Sequence, residues 1–271
     1  MRSAVITLAH GRHTHLRLQQ EGLAHSTQGP DQYVVVSMGD PEIGTVTVDR
    51  NPSATVLDVP LREGRLPLAA ARNAGAARAV EAAAELLVFL DVDCVPGASL
   101  LAGYARAAQD GALLCGTVAY LPPPPPDGYR LDALPDMAAP HPARPAPPDG
   151  VVLRGGDPRL FWSLSFALTA RTWTRIGGFC ESYTGYGAED TDFAAAAVLR
   201  GVDLRWVGGA PAYHQYHPTS HPPVQHLDDI LRNGALYKRR WGSWPMEGWL
   251  HDFADQGLVE YVPATDTWRR S

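Results

Sequence analysis

Three features are scarce in this chain of 271 residues: cysteine, excess positive charge and long apolar runs. Its three cysteines lack the spacing of a metal site and cannot all pair, so the sequence predicts a reduced, cytoplasmic protein. A formal charge of −6 argues against non-specific nucleic-acid binding, because no basic excess attracts phosphate backbones. No apolar run approaches the roughly 18 residues of a membrane span, and the segment before His10 is too short for a signal peptide.

Strand and helix signals alternate through the first half of the chain, whose apolar content of 45% is typical of a globular protein. Strands are predicted at 4–9, 33–38, 54–59, 86–90 and 113–121, and helices at about 10–25, 67–85 and 96–109. The run 86–90 is continuously apolar, as expected for a strand buried on both faces. This alternation predicts an α/β fold with a mostly parallel sheet flanked by helices.

The second half begins after a proline-rich segment, 122–148, which holds 11 of the 24 prolines. We expect it to join neither a helix nor the sheet, so it is a solvated linker or an active-site lid or acceptor loop. Further elements are predicted at 160–169, 171–176, 190–199, 203–207, 212–216, 226–241 and 246–256. The organisation is therefore a catalytic domain at 1–225 and a C-terminal helical extension at 226–271.

Two aspartates, Asp91 and Asp93, follow the buried strand 86–90 directly. Ligands of open α/β sheets bind at this carboxyl edge. Two residues apart in an extended segment, both side chains point the same way and can hold Mg²⁺ or Mn²⁺. The alternative is a solvated turn that caps the next helix.

A second acidic group, Glu189 and Asp190, follows the glycines Gly185 and Gly187. A carboxylate placed there could take a proton from an attacking hydroxyl. The alternative is that these residues cap a helix N-terminus, which accounts for Asp192 more readily than for the adjacent pair.

The remaining candidate residues are two histidines and the pair Arg72 and Asn73. His214 and His217 could join a carboxylate on a transition metal such as Mn²⁺, or they are surface residues of a loop. Arg72 could bind a phosphate or a ribose edge, and Asn73 is a poor interior helix former that something else could hold in place. A solvated surface pair is the alternative for both.

The C-terminal region holds four tryptophans and the basic run 238–240. The simplest interpretation is a helix packed on the core with one solvated basic face. Acceptor stacking, a homodimer contact or a weak lipid-surface contact are the alternatives.

Taken in chain order, these motifs resemble the metal-dependent glycosyltransferases of the GT-A fold, specifically family 2. The resemblance spans about 3–217 and rests on the strand and turn 5–12, Ala71-Arg72-Asn73-Ala74-Gly75, Asp91-Val92-Asp93, Ile176-Gly177-Gly178-Phe179 and the block 185–193. The last block is similar to a Gly-Trp-Gly-Gly-Glu-Asp-x-Asp-Phe signature of galactosyltransferases, N-acetylgalactosaminyltransferases and chondroitin polymerases. Tyr186 stands where that signature has tryptophan, and Ala188 where it has its second glycine.

The resemblance implies a role for each matching residue. Asp93 and His214, with His217, would bind Mn²⁺ or Mg²⁺, and Asp91 would contact the ribose or the metal through water. Asp190 would be the general base, and Glu189 would hydrogen-bond sugar hydroxyls. Nucleotide contacts are expected from Ala9, Arg12, Asp40, Arg72, Asn73, Asp91 and Val92, and sugar or acceptor contacts from Trp162, Tyr186 and Gly187.

The implied reaction is transfer of a sugar from a nucleotide-diphosphate sugar, with a UDP-sugar expected, to a hydroxyl of a carbohydrate or small-molecule acceptor. Inversion follows from a single in-line displacement. A sugar-nucleotide pyrophosphorylase has a related fold, but its Gly-x-Gly-Thr-Arg loop is absent where this chain has Leu8-Ala9-His10-Gly11-Arg12. A non-catalytic nucleotide-sugar-binding protein is the other alternative, and the intact acidic motifs argue against it.

Overall fold

A computed structural model describes all 271 residues. The strands are β1 (Ser3–Ala9), β2 (Gln32–Met38), β3 (Ala54–Val59), β4 (Leu86–Leu90), β5 (Cys94–Pro96), β6 (Ala112–Tyr120), β7 (Ala139–Pro140), β8 (Val152–Arg154), β9 (Ser165–Thr169), β10 (Asp203–His214), β11 (Val259–Val262) and β12 (Thr267–Arg270). The helices are α1 (His13–Ala24), α2 (Glu42–Thr47), α3 (Leu68–Glu81), α4 (Leu100–Ala107), α5 (Leu134–Met137), α6 (Ala170–Ile176), α7 (Glu189–Leu199), α8 (Leu227–Trp241) and α9 (Glu247–Asp255).

One sheet of ten strands organises the molecule, in the order β3-β2-β1-β4-β9-β6-β10-β5, with β7 added beside β6 and β8 beside β10. The long ladders among β1 to β4 and between β6 and β10 are parallel. Only β9 interrupts them, running antiparallel between β4 and β6. The predicted α/β class, a mostly parallel central sheet flanked by helices, is confirmed.

Both faces of the sheet are covered by apolar side chains. Every residue of β4 is at most 1% exposed, and its side chains alternate between the two main core clusters. On one face, Phe89 stacks on Phe166 with ring centroids 4.5 Å apart, and Phe179 stacks on Phe193 at 4.1 Å. This double burial explains why the β4 sequence is continuously apolar.

The parallel arrangement brings several strand ends to one edge of the sheet. β1, β4, β6 and β10 all run in the same direction, so the residues that follow them meet there. These are the turn after Ala9, the segment from Asp91 to Asp93, Tyr120 and His214. The fold therefore assembles the candidate site from segments more than 200 residues apart.

Several sequence predictions were wrong in detail. The segments 203–207 and 212–216 belong to one strand, β10, whose register shifts between Val207 and Ala212. The proline-rich segment contributes α5, where proline occupies the permissive first turn, and β7, which pairs with the end of β6. The extension is not purely helical, because it ends in the β11–β12 hairpin.

The C-terminal extension has a small core of its own, formed by Leu227, Ile230, Leu250, Phe253 and Val259. The division of the chain at residue 225 stays a prediction. A membrane span would need a longer or more apolar helix than any of those in this structure.

Helix α4 packs on β10 through a glycine. A Cβ added at Gly103 would lie against the backbone carbonyl of Gly209 on β10, and a backbone atom cannot move aside. We expect Gly103→Ala to lower stability by about 1–3 kcal/mol through overpacking, measured by thermal and urea unfolding. Gly248→Ala in α9 is the matched control, because open space surrounds that position and the change there should be neutral or stabilising. Equal unfolding midpoints for the two variants would contradict this packing.

Candidate functional site

The segment after β4 is a tight turn held by backbone contacts. The Cys94 N–H donates to the Asp91 carbonyl at 2.8 Å, and the Gln215 N–H donates to the Asp93 carbonyl at 2.7 Å. The side-chain amide of Gln19 donates to the carbonyls of Asp91 and Cys94 at 2.7 and 2.9 Å. Three parts of the chain therefore fix the direction of the two aspartates.

The two aspartate side chains diverge, which the spacing argument did not anticipate. Residues 91–94 form a turn rather than an extended segment, so the alternation of strand side chains does not apply. Asp93 faces the histidines of β10 and the loop after it. Asp91 faces Arg72 at 3.5 Å and stands outside the histidine cluster.

Asp93, His214 and His217 form a cluster that could hold a metal ion. The Asp93 carboxylate lies 3.6 Å from His214 Nε2 and 3.5 Å from His217 Nε2, and the ligand atoms of all three residues lie within 4.8 Å of one another. Burial lowers the pKa of His214, which favours the neutral imidazole that a metal requires. One carboxylate and two imidazoles suit Mn²⁺ better than Mg²⁺.

Asp93 is ionised despite its burial. Burial raises the pKa of Asp93, but a hydrogen bond from His217 and the charges of His214 and Arg12 outweigh it, and the pKa is lowered. Arg12 Nη1 lies 3.7 Å from the Asp93 carboxylate, and it is buried without a hydrogen-bond partner. This unpaired N–H group beside the metal cluster could donate a hydrogen bond to a phosphate oxygen.

The turn that presents Arg12 is fixed by a carboxylate. The backbone of Arg12 is left-handed, with φ 54°, between β1 and α1. Asp40 accepts hydrogen bonds from the Gly11 N–H at 2.7 Å and pairs with His13 Nε2 at 2.8 Å. Ala9, at the end of β1, is fully buried, and Val92 is half-buried.

Arg72 contacts both acidic motifs. It is 3% exposed, so the surface alternative is excluded. Its Nη1 donates to Glu189 at 3.1 Å, and its Nη2 donates to the Ser163 hydroxyl at 2.7 Å and lies 3.5 Å from Asp91. The Phe179 ring lies 5.0 Å from the guanidinium carbon. One buried cation thus sits between carboxylates of two separate segments.

Asn73 is also committed to protein contacts. Its side-chain oxygen accepts from the Phe179 N–H at 2.8 Å, and its amide nitrogen donates to the Phe179 carbonyl at 2.9 Å and to Glu181 at 3.0 Å. These hydrogen bonds explain why asparagine, a poor former of helix interiors, stands within α3. They hold the loop between α6 and α7.

Glu189 and Asp190 begin α7 after Ala188, whose backbone is left-handed with φ 70°. Burial, followed by the neighbouring charge of Glu189, raises the pKa of Asp190 to about 7. Burial likewise raises the pKa of Asp91 to about 7, although Arg72 opposes that shift. A carboxylate with a raised pKa holds a proton more strongly, which is what a general base at neutral pH needs.

Asp192 does not cap α7. It is 1% exposed and pairs with Arg240 Nε at 2.6 Å, while the Trp241 indole and the Tyr183 hydroxyl donate to it at 2.7 and 3.1 Å. The residue therefore ties the start of α7 to α8.

The residues predicted for the sugar sites contact other aromatic or polar side chains. Tyr186 stacks on His226 at 4.3 Å and lies 6.0 Å from Trp249. Trp162 meets His141 edge-on at 4.7 Å. The backbone at Gly187 adopts φ 95°, and its carbonyl accepts from Asn233 at 3.0 Å.

Sequence reasoning missed several residues that support this site. Ser163, Gln215 and Tyr120 adjoin predicted elements or residues, so their positions in the chain were a usable signal. His141, Arg144, His226 and Asn233 come from the proline-rich segment and the extension, and only the folded structure brings them near.

A family model described as the N-terminal domain of galactosyltransferase matches residues 159–222. That stretch contains the acidic pair that begins α7 and both histidines of the metal cluster. Asp91 and Asp93 lie outside it.

Two curated relatives match about half of the chain. Validoxylamine A glucosyltransferases from Streptomyces hygroscopicus subsp. jinggangensis and subsp. limoneus are 30% and 29% identical over an alignment of 167 residues, which covers 51% of this chain. The matched regions make up only 36% and 34% of those relatives. The chain thus corresponds to about a third of each relative.

Solved glycosyltransferase structures match most of the fold. The mannosyltransferase PcManGT from Pyrobaculum calidifontis, solved with GDP-Man and Mn²⁺, has a TM-score of 0.59 at 17% identity and covers 95% of this chain and 70% of its own. TarS from S. aureus, solved with UDP-GlcNAc, has a TM-score of 0.57 at 12% identity and covers 88% and 67%. GalNAc-T7, solved with UDP, GalNAc and Mn²⁺, has a TM-score of 0.52 at 15% identity and covers 80% and 44%. The chain has the GT-A glycosyltransferase fold.

Proposed function

We propose that this chain is a metal-dependent glycosyltransferase that moves a sugar from a nucleotide-diphosphate sugar to an acceptor hydroxyl. The observation that carries the proposal is the Asp93–His214–His217 cluster at the carboxyl edge of the sheet, together with the acidic pair of buried Glu189 and half-buried Asp190, which Arg72 links to Asp91. The family model, the curated relatives and the solved structures support the same class. A UDP-sugar donor, a cytoplasmic location and a homodimer stay predictions from the sequence.

The donor would lie between the metal cluster and the turn after β1. Asp93, His214 and His217 would hold Mn²⁺, or Mg²⁺, which offsets negative charge on the leaving diphosphate when it is bound. Arg12, with its unpaired Nη1 beside Asp93, would bind a phosphate oxygen. Ala9, Asp40 and Val92 would shape the nucleotide pocket.

Asp91 would contact the ribose, held in place by Arg72. We assign Arg72 and Asn73 to positioning rather than to direct donor contact, because their polar groups are already paired within the protein. This differs from the role that the family resemblance implied for them.

Asp190 would take the proton from the acceptor hydroxyl as that oxygen bonds to the anomeric carbon and the diphosphate departs. Attack opposite the leaving group inverts the anomeric configuration. Glu189, held by Arg72, would hydrogen-bond sugar hydroxyls. Trp162, Tyr186 and Gly187 would line the sugar sites.

Metal and nucleotide should bind together. A nucleotide at about 100 times its dissociation constant stabilises a fold by about 2.7 kcal/mol, so we expect a thermal shift with UDP that depends on Mn²⁺. Asp93→Asn should abolish the Mn²⁺-dependent part, because it removes the charged ligand of the cluster. Asp127→Asn, on the exposed part of the proline-rich segment, is the control and should behave as the parent. An undiminished Mn²⁺-dependent shift in Asp93→Asn would place the metal elsewhere.

Removing the base should affect turnover more than binding. We expect Asp190→Asn to lower kcat by about two to four decades, the usual scale for a general base, and to keep the UDP and Mn²⁺ thermal shift. In the parent, the rate should rise with pH through about 7, where the Asp190 carboxylate ionises. Near-normal turnover in Asp190→Asn, measured as nucleotide release, would rule out the assigned role.

The same variant should be more stable than the parent at alkaline pH. The pKa of Asp190 is raised from 3.8 to about 7, so the folded state binds its proton more strongly and the parent loses stability as pH rises across that window. The advantage of Asp190→Asn should be absent below about pH 4, grow towards pH 7 and then stay constant. Urea unfolding at several pH values measures it, with Asp127→Asn as the control. An advantage independent of pH would show that Asp190 does not titrate this way.

A further inference from the structure

The proline-rich segment places a buried cation, Arg144, inside the protein without a counter-ion. The residue is 8% exposed, and its guanidinium carbon lies 5.2 Å from the ring centroids of both Trp162 and Trp206. Its Nε, Nη1 and Nη2 are buried and have no hydrogen-bond partner. Every other arginine buried to this extent, namely Arg72 and Arg205, pairs with a carboxylate.

The two indoles provide only part of the interactions that a buried guanidinium needs. Cation–π attraction acts on the faces of the guanidinium, while its N–H donors point outward in the plane. The Cys115 thiol lies close enough to Arg144 to attract its N–H groups, but burial raises the pKa of this thiol to about 12, so it is neutral and does not balance the charge. A buried charge without a partner is unfavourable, and the planar fork of N–H groups matches a carboxylate or a phosphate.

A series of contacts between aromatic side chains connects this cation to the metal cluster. Trp162, which stacks on Arg144, meets His141 at 4.7 Å. His141 lies 5.9 Å from Tyr120, and Tyr120 lies 4.9 Å from His214. The pairing of β7 with the end of β6 brings His141 to this position.

The same series of aromatic residues also adjoins the acidic motifs, through the neighbour of Trp162. Ser163, the neighbour of Trp162 in the chain, receives a hydrogen bond from Arg72 at 2.7 Å. Trp162 and Ser163 therefore link Arg144 to the acidic motifs as well as to the metal cluster. We expect the acceptor on this side, because the proposed donor occupies the metal cluster and the turn after β1. An anion reaches the buried guanidinium only if the segment shifts, and the regular pairing that holds the segment to the sheet is two residues long.

We propose that Arg144, clamped between Trp162 and Trp206, determines acceptor specificity by binding an anionic group, and that segment 122–148 is the acceptor loop. The acceptor is then a sugar that carries a carboxylate or a phosphate besides the hydroxyl that reacts. This inference rests on the proposed function, because it assigns the acceptor of the same site. It resolves the choice between linker and acceptor loop in favour of the loop.

The test compares a neutral sugar with two anionic ones at matched ionic strength. Methyl glucoside, glucuronate and glucose 6-phosphate are titrated into the protein loaded with UDP and Mn²⁺, and binding is followed by calorimetry. We expect at least one anionic sugar to bind about tenfold more tightly than methyl glucoside, and which one does so separates carboxylate from phosphate recognition. Arg144→Gln should remove the preference, and Arg144→Lys should keep part of it.

Arg130→Gln is the matched control, since Arg130 is an exposed arginine of the same segment and its loss should leave the preference intact. The UDP and Mn²⁺ thermal shift of each variant reports folding and donor binding separately from the acceptor. A parent protein that responds equally to the three sugars, or to none of them, overturns the proposal, as does a preference that survives in Arg144→Gln. In that case Arg144 serves only to anchor the segment. Loss of the thermal shift in the parent would instead contradict the proposed function.

Discussion

The buried guanidinium of Arg72 is the interaction on which the site depends. It comes from α3, while its partners Asp91, Ser163 and Glu189 follow β4, precede β9 and begin α7. Taking one partner from a buried ion pair leaves an uncompensated charge, which costs far more than the intact pair contributes. These segments must therefore be in place together, and the phenylalanine cluster under Arg72 helps to hold them there.

The site around Arg72 is poorly balanced in charge. Four carboxylates, those of Asp91, Asp93, Glu189 and Asp190, share two arginines, Arg72 and Arg12, and burial raises the pKa of Asp91 and Asp190 to about 7. Such an arrangement lowers the stability of the protein on its own, and a cation or a proton relieves it. This is the common exchange of stability for function at sites that act on charged ligands.

Much of this fold could be predicted from the sequence, because local patterns determine local elements. The apolar run of β4 and the alternation of strands and helices predicted a parallel sheet, and the position of Asp91 and Asp93 after β4 predicted which edge carries the site. The different partners of those two side chains could not be predicted, since they depend on a turn closed between residues 91 and 94. Apart from Asp91, the partners of Arg72 and Asn73 lie about a hundred residues away in the chain, and no local pattern identifies them.

The C-terminal extension contacts the start of α7 through buried polar groups. Asp192, two residues after the proposed base, is held by Arg240 and Trp241 of α8. Asn233 of α8 also donates to the backbone carbonyls of Thr184, Tyr186 and Gly187 at 3.0–3.1 Å.

Those three carbonyls belong to the glycine-containing loop that precedes α7, and left-handed residues leave such a loop few contacts of its own. Without α8, the buried carboxylate of Asp192 would lose two of its donors, and the loop would lose the amide that binds all three carbonyls. The orientation of Glu189 and Asp190 thus depends on the extension, although neither residue touches it through its own hydrogen bonds. The extension is part of the site's support, because residues 1–225 alone would lack the contacts that α8 makes with Asp192 and with the loop before α7.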